Sequence, residues 1–119
     1  MGNRALVIFR NAKEISPVVY LHWNGDDVLD YLEDYKKCMD NRKGDVDYIC
    51  ARFIGICHTE INGNLSLGVW NCAAEWEESI LNNDYETIKT YSHGDNSIFI
   101  VDVSKENWFN IIQIGENNE

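Results

Sequence analysis

At 119 residues the chain has room for one hydrophobic core and not two, and 45% apolar residues exclude a disordered polypeptide. The formal charge is −10, of which −8 falls between residues 75 and 119, where ten acids face only Lys89 and Lys105. Such a field repels phosphate, which argues against direct nucleic-acid binding; it attracts a basic protein surface, and it also favours solubility.

Ala5-Leu6-Val7-Ile8-Phe9 reads as a strand rich in β-formers, and the polar stretch from Asn11 to Ser16, closed by Pro17, reads as a turn. Val18 to Trp23 is a second strand, close enough to the first to form a hairpin with it. Asn24-Gly25-Asp26-Asp27 then breaks the strand and opens a helix. Asp26, Asp27 and Asp30 crowd its start and Lys36 and Lys37 its end, as the helix dipole favours. Val28, Leu32, Tyr35 and Met39 make one apolar stripe on it.

A second helix is predicted over Val46 to Thr59, capped by Asp45 or Asp47. Its apolar residues run nearly all round, the pattern of a buried helix. Leu65 to Trp70 alternates as a strand. Residues 73–89 read either as a short acidic helix lined by Trp76, Ile80 and Leu81 or as an insertion. Ser97 to Asp102, entered through the turn His93-Gly94-Asp95-Asn96, and Trp108 to Ile114 complete the strands; residues 115–119 are a tail. The expected architecture is a single α+β domain over residues 1–119, ordered ββααβ(α)ββ. Its sheet is antiparallel or mixed, with two main helices packed on one face.

Chemistry-bearing motifs are few. Cys38, Cys50, Cys57 and Cys72 lack metal-ligand spacing, and a core this aromatic needs no crosslinks, so buried free thiols, no metal and no cofactor are expected. His22 and His93 each sit beside a Gly turn. They are the only residues placed for acid–base work; without a nucleophile elbow or phosphate loop beside them, no catalytic residue is assigned. Arg52 is the one strong charge on the apolar second helix. It is expected to pair with Asp26 or Asp102, to reach solvent from the helix edge, or to hold an anion in a pocket. Trp23 and Trp70, beside turns, are candidate exposed anchors.

No apolar run approaches the ~18 residues of a membrane span. The five-residue apolar segment between Arg4 and Arg10 is too short for a secretory leader, and Leu6 stands where myristoylation needs Ser or Thr. A cytosolic protein without membrane contact is expected.

Gly2-Asn3-Arg4-Ala5, Tyr20-Leu21-His22-Trp23-Asn24-Gly25, Ala51-Arg52-Phe53, Leu65-Ser66-Leu67-Gly68 and Gly94-Asp95-Asn96 together resemble a family of small phage and prophage proteins. The resemblance spans residues 2–103. Asp26 and Ser97 stand where that family usually has Gly, and residues 72–90 match poorly. It implies a mobile-element origin in a bacterial cytosol and supplies no catalytic residue. The leading expectation is therefore a non-enzymatic, anti-CRISPR-like inhibitor of a bacterial defence system, binding a basic surface of a host effector protein through Trp23, Asn24, Asp26, Glu75, Trp76, Glu77, Glu78 and Asp95. Self-association is left open. A binder sequestering a nucleotide signal, with Arg52 on phosphate, is the first alternative, and a small acid–base enzyme the second.

Overall fold

The computed structural model of the protein describes residues 4–22, 25–39, 42–60, 66–86 and 98–114. Its centre is the first apolar run. Strand β1 (Ala5–Arg10) points Ala5, Val7 and Phe9 into one core and Ile8 into a second on the opposite side. A strand covered on both faces needs apolar residues at consecutive positions, which is why this run does not alternate.

Strand β2 (Val18–Leu21) pairs antiparallel with β1, as the hairpin reading expects. The turn between them is built by side chains. Asn11 Oδ1 accepts from the amides of Lys13 and Glu14 at 2.8 and 2.7 Å. The buried Ser16 hydroxyl accepts from the Phe9 amide at 2.9 Å and donates to the Pro17 carbonyl at 2.8 Å. Outside β2 lies β3 (Leu67–Trp70), antiparallel to it. On the other flank β4 (Ile98–Asp102) runs parallel to β1, and β5 (Asn110–Ile114) closes the sheet antiparallel to β4. The sheet is therefore mixed, ordered β3-β2-β1-β4-β5.

A 3-10 turn, Gly25–Asp27, leads into helix α1 (Val28–Cys38). The predicted stripe holds: Val28, Leu32, Tyr35 and Met39 are all buried. Tyr35 donates its hydroxyl to the Ile49 carbonyl at 2.9 Å, tying α1 to helix α2 (Val46–Glu60). Burial pushes the Tyr35 phenol upward. Rings of Phe9, Tyr35, Phe53 and Phe109 meet mostly edge to face at this junction.

Helix α2 differs from the expectation of burial all round. Val46, Ile49, Cys50, Phe53 and Cys57 are buried, but Asp47, Ala51, Arg52, Gly55, His58 and Thr59 face solvent. The helix lies on one face of the sheet and, among the described residues, nothing packs beyond it, so its outer side stays wet. Its cap is Asp45, which accepts from the Tyr48 amide at 3.3 Å and pairs with Arg42 at 3.0 Å. Asp45→Ala should cost about 1 kcal/mol, read from chemical denaturation at constant m-value; an unchanged midpoint would contradict this capping role.

The ambiguous segment contains helix α3 (Ala74–Leu81). It packs on the face opposite α1 and α2. Ile80 joins Ile8, Val18, Ile98 and Ile100 in the second core, with Trp76 and Tyr85 packed at its border. Its end is a Schellman turn: Asn83 takes the left-handed conformation (φ 61°), the Asn83 amide donates to the Ile80 carbonyl at 3.0 Å and the Asp84 amide to the Ser79 carbonyl at 2.8 Å.

The thiols are less uniform than expected. Cys50 and Cys57 are buried, Cys72 is half-buried and Cys38 is exposed at the end of α1, a correction to uniform burial. Burial pushes the Cys57 thiol up to about 12. Burial, with the Glu77 carboxylate adding, pushes Cys72 up to about 11. Cys57 ionises near 9.0 when unfolded and near 12 when folded, so the folded state holds the extra proton in between. Stability is thus full below pH 9 and falls as pH rises, by about 1.4 kcal/mol per unit for this group. A denaturation midpoint that stays flat from pH 9 to 11 would contradict the burial. Under native conditions Cys38 should react first with a thiol reagent, and Cys57 only on unfolding.

Candidate functional site

Helix α3 is eight residues long, too short to cover one face of a five-stranded sheet by itself. On that face the register sets Gly68 opposite Tyr20 and Trp70 opposite Val18. With no side chain at Gly68, the Trp70 ring leans back across it: an added Cβ would lie 3.7 Å from Trp70 and 3.9 Å from Tyr20. The Tyr20 and Trp70 ring centroids are 5.6 Å apart at 34°, and His22 lies 5.9 Å from Tyr20 on its other side. The Tyr20 hydroxyl and His22 Nδ1 are hydrogen-bonded. Trp70 is 49% exposed on the edge strand, which marks it as surface and not core. Val69, beside it and pointing the other way, is 48% exposed.

Four residues after Trp70, at Ala74, the acidic helix begins on the same face. Glu75, Glu77 and Glu78 are all exposed. Glu75 and Glu77 lie in the first turn, where the helix dipole stabilises carboxylates. Trp76, between them, is turned inward against the second core. It is half-buried there and helps hold the helix in place. The arrangement is an aromatic pair and three exposed carboxylates on one face of the sheet.

The remaining candidates fall elsewhere. Asp26 is exposed in the turn that feeds α1, the helix on the opposite face, and does not join this group. Trp23, Asn24, His93 and Asp95 lie outside the described residues. Arg52 is exposed and not buried. It donates to the Tyr48 hydroxyl one helical turn away at 3.3 Å and forms no ion pair among the described residues. Its anticipated partner Asp102 is occupied locally, accepting from the Ser104 amide at 3.0 Å and the Asn107 side chain at 3.2 Å. Arg52 thus reaches solvent from the helix edge, one of the outcomes expected of it.

The buried cation is instead Arg10, 5% exposed at the end of β1. Its Nη1 donates to the Ile80 carbonyl and to Asn83 Oδ1, each at 2.6 Å, and to the Tyr85 hydroxyl at 3.1 Å; Nε donates to the Asn11 carbonyl at 3.0 Å. Helix α3 has no basic residue in its own last turn. Arg10 supplies that charge from a neighbouring strand and so fixes the acidic helix to the sheet.

Among the described residues no three His, Cys, Asp or Glu side chains gather as metal ligands, and no helix is long and apolar enough to cross a membrane. Comparison of the chain with protein-family models, curated proteins and solved structures yields no match.

Proposed function

We propose that the protein acts by binding, with its acidic and aromatic face docking on a basic protein surface. The setting is the one the sequence resemblance implies, inhibition of a bacterial antiviral effector by a phage or prophage product. The observation that carries this reading is the half-exposed Trp70, backed by Tyr20, on the same face as the exposed Glu75, Glu77 and Glu78. The two parts do different work. Aromatic side chains at the centre of an interface supply most of the binding free energy, because they exclude water over a large rigid area. Carboxylates at the rim mainly speed encounter with a positive partner and reject negative ones. A nucleic-acid channel on a nuclease has the complementary charge.

Trp70→Ala should weaken the complex by about 2 kcal/mol, a factor of about 30 in Kd. The test is capture on the tagged full chain from a defence-positive bacterial host, washed at 0.1 and 1 M salt, over which the Debye length falls from about 10 to about 3 Å. The expected result is one basic protein held at fixed stoichiometry, depleted by the stronger wash and by Trp70→Ala. Recovery of no basic protein, or of one indifferent to both changes, contradicts the reading.

A further inference from the structure

A second site is built at the carboxyl ends of β1 and β4, from chemistry opposite to that of the acidic face. Strands β1 and β4 pair in parallel, so their carboxyl ends leave the sheet side by side. Chains diverging from such ends open a crevice, the usual place for a ligand in sheets with parallel strands. Here the crevice is a cleft of about 470 Å³, within the range of small-molecule sites. Lys13 comes from the β1–β2 turn, Lys43 from the α1–α2 connection and Lys105 from the β4–β5 connection.

Three of the ten Lys and Arg residues of a chain with charge −10 therefore converge on one cleft. None of them has a carboxylate partner among the described residues; Lys43 only rests over the Trp108 ring at 5.4 Å. Ser104 also lines the cleft. It is 5% exposed; its Oγ accepts from the Asn107 amide at 3.2 Å, and its own proton has no acceptor among the described residues. Among the described residues, the buried hydroxyl has no acceptor for its proton and the three ammonium groups have no ion-pair partner, an arrangement suited to an acceptor carrying negative charge.

The frame is held without the ligand. Asn11 Nδ2 donates to the Gly44 carbonyl at 2.8 Å, the Gly44 amide to the Val103 carbonyl at 2.7 Å and the Val103 amide to the Arg10 carbonyl at 2.8 Å, so the three connections are tied together. Gly44 has φ +89°, a conformation that favours glycine, and this lets the α1–α2 connection reach both neighbours. Preorganisation of this kind lowers the ordering cost of binding.

We propose that this cleft binds a small phosphate-bearing molecule, its anionic group held between Lys13, Lys43 and Lys105 and accepting the Ser104 proton. Lysines act on phosphate as point charges, and three of them match the multiple charge of a phosphate group better than the single charge of one carboxylate. Glu14 and Glu106 share the rim and repel an extended polyanion, so the ligand is compact.

The experiment is a titration of the full chain with inorganic pyrophosphate at low salt, followed by amide chemical shifts, with citrate as the carboxylate comparison. Saturable shifts confined to residues 11–14, 43–44 and 104–106 are expected. Lys13→Gln, Lys43→Gln and Lys105→Gln combined should weaken binding at least about tenfold, these side chains being exposed and dispensable for folding. Ser104→Ala should weaken it a few-fold without altering its salt dependence. Shifts that do not saturate or scatter over the surface, a triple variant that binds as well as wild type, or citrate binding as tightly as pyrophosphate, would each overturn the assignment.

Discussion

Reversing Glu75, Glu77 and Glu78 to lysine should slow association with the basic partner about 10- to 100-fold at low salt, and by much less at 1 M. Steered encounters reach about 10⁸–10⁹ M⁻¹s⁻¹, against about 10⁵–10⁶ without steering, and the advantage is lost as salt screens it. The three carboxylates are exposed, so the fold should tolerate their replacement. Dissociation should change little, because rim charges act on encounter and the anchor is Trp70. Measured association and dissociation rates at two salt concentrations separate these contributions. A triple variant with wild-type association at low salt would remove the acidic helix from the interface.

The second large effect concerns stability. Arg10→Met should cost about 2–3 kcal/mol. Hydrogen bonds to a charged donor are worth about 1.5–3 kcal/mol each, and two of those lost are short. Relief from burying a charge offsets part of this, and the acceptors are not left orphaned: the Ile80 carbonyl keeps the Asn83 amide and Asn83 Oδ1 keeps the Tyr85 hydroxyl. Arg10→Ala adds a cavity and should cost about 4 kcal/mol. At about 4 °C per kcal/mol the melting temperature falls by roughly 8–16 °C across the two variants. Arg52→Met, on an exposed side chain, should stay within about 0.5 kcal/mol. The opposite ranking of Arg10 and Arg52 in a thermal melt would contradict the placement of both.

That ranking marks where sequence reasoning reached and where it stopped. Helix α1 was legible because Val28, Leu32, Tyr35 and Met39 repeat at helical spacing against a charged background. The strands were legible because each is a short β-branched or aromatic run between turn residues. The parallel pairing of β1 with β4 was not, since it depends on contacts about ninety residues apart that no local pattern records.

Arg52 drew weight because α2 reads as apolar all round. Yet Asp47, Ala51, Gly55 and Thr59 recur every fourth residue, and that small or polar stripe, with Arg52 beside it, was the sign of a wet face. Arg10 looked like a charge flanking a strand. Its signal was indirect: a helix over 74–81 ending in Leu81-Asn82-Asn83-Asp84 lacks a cation of its own. At the candidate site, the acids and Trp70 were legible as an exposed group. The part of Tyr20 was not, because only the β2–β3 register brings it against Trp70. The lysine cleft was hidden for the same reason, its three cations lying on three separate connections.

Binding through this face is tested by phage plating on a defence-positive host expressing wild type, the Glu75/Glu77/Glu78 lysine triple variant, Trp70→Ala, Arg52→Met or His22→Ala, each confirmed folded. The binding account predicts that wild type, Arg52→Met and His22→Ala restore plating to the level of a defence-negative host. The triple variant and Trp70→Ala should lose most of that protection. Full protection by the triple variant and Trp70→Ala, with loss on His22→Ala, would contradict the account and put acid–base chemistry at His22 in its place.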